Sequence, residues 1–177
     1  HRRFPQRYRE GGFSACWTFG RVYFFPLTSS GSTFTPSMEI FMESTGHSGF
    51  DPVDLAVGPE GDLFVAIGGR ETRGAVYRVR YAKGDPPPPL PPRESLDGVL
   101  SADQPLSAWS RGLWVPAARD LGRGPFEEAV MDAARPLLQR VRSVEVLVEL
   151  FDGVGVDLAR RCAGGPPELT ARLAWAL

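Results

Sequence analysis

Six polar residues of the N-terminal half could do chemistry together if the fold brings their loops to one end: Thr18, Arg21, His47, Asp51, Arg70 and Arg73. The three arginines could hold an anion by charge-assisted hydrogen bonds, which a guanidinium can make in pairs. His47 is the candidate base or ligand among them. Each residue also has a plain alternative. His47 sits in a Ser/Thr/Gly loop, where a histidine is more often solvated than a base or ligand. Asp51, ahead of Pro52, can brace a turn through its own backbone. Arg70 and Arg73 can pair with Glu71 and Asp51. Asp54 reads as a buried acceptor for neighbouring loop N–H groups. Cys16 and Cys162 show no C-x-x-C, zinc or haem-attachment spacing, and are expected as two buried apolar thiols rather than a disulfide.

The elements that would position these residues are strands. After the arginine-rich start, Gly12 to Trp17 and Arg21 to Leu27 are apolar or aromatic runs, with Thr18-Phe19-Gly20 as a hairpin-sized connection. A Ser/Thr/Gly loop, Thr28 to Ser37, leads to a third run, Met38 to Met42, and a second loop follows from Glu43 to Phe50. Val53 to Val57 is near-continuously apolar, as expected of a strand buried on both faces. Leu63 to Ile67 pairs back across Gly58-Pro59-Glu60-Gly61. Gly68 to Gly74 is a loop, and Ala75 to Tyr81 alternates as a half-exposed outer strand. This hairpin scheme puts the connection after Trp17, the loop before Pro52 and the loop after Ile67 at one end, and so gathers the six residues around one mouth.

Short strands at this spacing, grading from apolar to polar, predict a β-propeller in preference to a sandwich. GGFSACWTFGRVYFFPL and GDLFVAIGGRETRGAVYRVRY repeat a strand, loop, strand scheme. Residues 83–93 then carry GDPPPPLPP, a stiff spacer unable to join a sheet or helix. Beyond it the period turns helical. Leu106 to Leu121 is predicted to kink or break at Pro116, and Phe126 to Ala134 follows the helix-entry pair Gly124-Pro125. Leu137 to Phe151 carries one stripe of Leu137, Val141, Val144, Leu147, Val148 and Phe151, and Gly153 ends it. Val156 to Cys162 and Pro167 to Leu177 form two more helices. Trp17 reads as core or rim packing, and Trp109, Trp114 and Trp175 as packing between helices. Helices too short to bury their own faces fit an α-solenoid. The expected fold is therefore α+β by segments. Terminal antiparallel propeller blades occupy residues 1–82, a proline-rich linker 83–93, and truncated HEAT-like repeats 94–177.

GFDPVDLAVGPEGDLFVAIGGRETRGAVYRVRY and WTFGRVYFFPL resemble the closing blades of the sorbosone/glucose dehydrogenase-like quinoprotein β-propellers. More narrowly, they resemble bacterial "membrane-bound dehydrogenase" proteins, in which such a propeller precedes HEAT repeats and often a cytochrome c domain. ELTARLAWAL and LQRVRSVEVLVELF resemble second helices of HEAT-type repeats. The resemblance implies that an intact parent oxidises a sugar or alcohol by base-assisted hydride transfer to pyrroloquinoline quinone, with calcium, and passes electrons to a cytochrome c. It implies a periplasmic or extracytoplasmic location. The rival reading is a non-catalytic propeller and solenoid that binds a glycan or protein.

Against the family's pattern, the quinone-binding lysine falls near Thr18 and the paired arginines near Asp51 and Val53, none of them basic here. The relatives would carry an aspartate where Cys16 stands. The general base and calcium loop belong to earlier blades, so this chain is expected to supply rim residues and no catalysis of its own.

The totals bound the rest. A chain of 177 residues, 42% hydrophobic and 23% charged, fits one domain or two small ones. A formal net charge of −1 gives no reason to expect nucleic acid or an anionic membrane as partner. No run approaches the roughly 18 apolar residues of a membrane span. The chain starts at His1 without a signal-peptide pattern and stops inside a helical pattern, as expected of a piece of a longer protein.

Overall fold

The computed structural model describes residues 3–9, 11–31, 33–35, 37–46, 49–69, 72–83 and 91–177. Among the described residues it is a mixed α+β molecule of antiparallel sheets and seven helices, in two compact units, His1–Pro88 and Pro89–Leu177. The expected loop candidates His47 and Arg70, and most of the proline-rich segment, lie outside the described residues.

The first unit holds two three-stranded antiparallel sheets. In one, β1 (Gly11–Cys16), β2 (Arg21–Pro26) and β5 (Glu39–Glu43) lie in that order; in the other, β6 (Pro52–Val57), β7 (Leu63–Gly69) and β8 (Thr72–Val79) do. The β1–β2 register pairs Phe13 with Phe24 and Ala15 with Val22, so those four share one face. In the second sheet, β7 alternates as a strand with one covered face must: Leu63, Val65 and Ile67 are buried, while Phe64 and Ala66 between them are half-buried. The two sheets meet where β1 lies beside β6. Phe4, Val22, Leu63, Val65 and Ile67 form the core between them. Phe4 and Tyr8, around the short helix α1 (Gln6–Arg9), close one side of it. Tyr8 meets Phe24 edge-on at 4.9 Å between ring centres, and Phe13 meets Phe41 at 4.8 Å, the geometry that aromatic quadrupoles favour.

Three strand expectations change. The Thr28 to Ser37 stretch contains a small exposed hairpin, β3 (Thr28–Ser30) with β4 (Thr33–Thr35). Strand β6 is not buried on both faces: Val53 is 54% exposed and Asp54 and Ala56 are exposed. As an edge strand β6 has a neighbour on one side only, and the more deeply buried strand is the middle one, β7. Asp54 is likewise no buried acceptor; it is exposed and accepts the N–H of Leu55, at 2.8 Å. Among the described residues the sheets close into neither a barrel nor a ring.

The second unit is helical: α2 (Leu96–Leu100), α3 (Ala108–Leu121), α4 (Gly124–Met131), α5 (Leu137–Leu150), α6 (Val156–Arg161) and α7 (Pro167–Trp175). Ser95 caps α2 by accepting the Gly98 N–H at 3.0 Å. Pro125 stands in the first turn of α4, where a missing N–H costs nothing. Pro116 does not break α3, which runs through it.

Helix α5 is the hub, packed by α4 and α7 and touched by α2 and α3. Its buried face is therefore wider than the expected stripe and rotated from it. Val144 and Leu147 are shared, but Val146, Ser143, Arg140 and Arg142 are buried too. Arg140 survives there by donating to the Val130 carbonyl at 2.9 Å. Arg142 lies 4.5 Å from the centre of the Trp114 ring and donates to Glu145 at 3.2 Å. Trp114 is 2% exposed, whereas Trp175 is 60% exposed beneath Arg172 instead of packing between helices.

Candidate functional site

Three contacts bring the loops of the β unit to one end. Gly20 closes the β1–β2 turn at φ +61°, and a Cβ there would stand 2.7 Å from the Phe50 carbonyl oxygen, so only glycine lets the turn approach the segment leading into β6. The Gly68 N–H donates to the Asp51 carbonyl at 3.1 Å, tying the end of β7 to the same segment. The Trp17 indole lies against Gly69, where an added Cβ would come within 3.4 Å of its Nε1. Trp17 is thus a rim residue, 42% exposed.

Between these loops lies a cavity of about 350 Å³, lined by Thr18, Phe19, Gly20, Arg21, Glu43, Ser44, Phe50 and Asp51. Thr18, Arg21 and Asp51, three of the six residues singled out by sequence, meet in it. Arg73 stands exposed on β8 and does not line it. Arg21 and Glu43 are direct partners in the β2–β5 register, and the guanidinium Nε donates to the Glu43 carboxylate at 3.0 Å. The Tyr23 side chain first, and then Glu43, raise the Arg21 pKa above its ordinary value against the opposing effect of burial. That cation is paired with a carboxylate, which offsets its charge toward an anion.

Asp51 is different. It is 6% exposed and lines the cavity, yet no hydrogen bond or ion pair ends on its carboxylate among the described residues. Its backbone carbonyl accepts the Gly68 N–H, a bond between segments and not the turn brace expected of its side chain. Glu43, at the end of a short strand, carried no such signal in the sequence. Only the pairing of β5 with β2 places it opposite Arg21.

At the far end of the β6–β7–β8 sheet, Asp62 is fully buried beside the β6–β7 turn. Arg78 donates to its Oδ2 from Nε at 2.6 Å, and Arg80 does so at 3.2 Å. Burial pushes the Asp62 carboxyl upward, but the hydrogen bonds and charges of Arg78 and Arg80 outweigh it and hold the group below its ordinary value. The cluster also includes Glu60, paired with Arg78. Its charges cancel, and it braces the turn.

Comparison with known family models, curated proteins and solved structures gave no match to this chain. Among the described residues no group of three or more His, Cys, Asp or Glu is placed to hold a metal ion, and no helix is long and apolar enough to cross a membrane.

Proposed function

We propose that the β unit is a pair of propeller-type blades acting as a recognition module, and that the rim cavity between its loops binds a hydroxylated ligand of the glycan class. Carrying this reading is the cavity's composition. Hydroxyls of Thr18 and Ser44 and carboxylates of Glu43 and Asp51 surround it, and Phe19, 70% exposed, offers an apolar face beside them. Sugars are bound by such mixtures, because they present both hydroxyl donors and C–H faces. Support for blades comes from two sheets of equal strand number packed so that their first strands adjoin, with the ligand loops at one end. In the helical unit, α2 packs with α3, α4 with α5 and α6 with α7, while α5 touches both α3 and α7. That succession of pairs supports the HEAT-like reading of a scaffold.

The residues present do not fit pyrroloquinoline quinone. It carries three carboxylates and calls for cations, whereas Arg21 is paired with Glu43 and Asp51 adds a second negative group. A dehydrogenase parent would have to hold the quinone on other blades, leaving this rim a part in recognition. The test is calorimetric titration of the chain with neutral mono- and oligosaccharides and, separately, with the quinone plus calcium. Saccharide binding without quinone binding is the expected result. Quinone binding that is lost in Arg21→Ala would overturn it.

A further inference from the structure

We draw no further inference here: the strongest candidate, the apolar groove between α6 and α7 lined by Val156, Ala159, Cys162, Ala163, Leu173 and Leu177, carries nothing, because nothing in the structure shows what covers it.

Discussion

Gly20 sets the geometry of the rim at the cost of a single hydrogen in place of a side chain. Alanine there would be held at φ +61° and pressed against the Phe50 carbonyl. Gly20→Ala should therefore destabilise the β unit by about 1–3 kcal/mol, the usual cost of strained backbone with a clash. A thermal melt unchanged from the parent would mean that the turn can move away from Phe50. Asp62 makes a prediction in pH. Its folded pKa lies below the ordinary 3.8, so the unfolded chain takes up the proton first. The stability it confers is fully present above that value and drains away as pH falls through the folded pKa. Asp62→Asn should lower the melting temperature at neutral pH, and the gap to the parent should close on acidification below 3.8. A gap that stays constant with pH would sink the ion-pair account. Neither residue announced itself equally in sequence. A hairpin-sized T-F-G pointed at Gly20, but nothing marks Asp62 until the register sets residues 16 and 18 places apart side by side.

At the scale of elements, the strands with alternating or continuous apolar runs were legible, and their bounds shift by up to three residues, the most at the start of β8. Burial was less legible, because it depends on what lies above a strand and not on the strand itself. The run Val53 to Val57 reads as near-continuously apolar, yet turns out to be an outer strand with exposed positions. Leu63 to Ile67, of equal length and between two neighbours, buries Leu63, Val65 and Ile67. The same physics rotated the buried face of α5, since a hub helix meets neighbours on several sides and draws Arg140 and Arg142 inward. A paired substitution separates the two strands. Leu63→Asp puts an unpaired charge at a position 1% exposed and should cost several kcal/mol, on the order of the unit's whole stability. Val53→Asp, at 54% exposure, should leave the melt nearly unchanged. Equal damage from both, measured by circular dichroism and thermal unfolding, would restore the two-sided burial of β6.

At the scale of the whole molecule, the change from sheet to helix was plain in the sequence because the hydrophobic period changes on either side of the proline-rich stretch. Each unit also has a core drawn from its own residues alone. Phe4, Val22, Leu63, Val65 and Ile67 serve the first, and a cluster running from Val99 to Leu173 serves the second. Separate cores are the condition for separate unfolding. Leu147 is fully buried at the centre of the second cluster, on the hub helix. Leu147→Asp should remove, by several kcal/mol, the margin that keeps the helices folded, while the hairpins of the first unit keep their own. Amide hydrogen exchange reads both at once. Protection should collapse across α3, α4, α5 and α7 and persist in β2 and β7. Sugar binding at the rim should persist with it, because every residue lining that cavity belongs to the first unit. Loss of protection in β7 as well would show that the two cores unfold as one cooperative body.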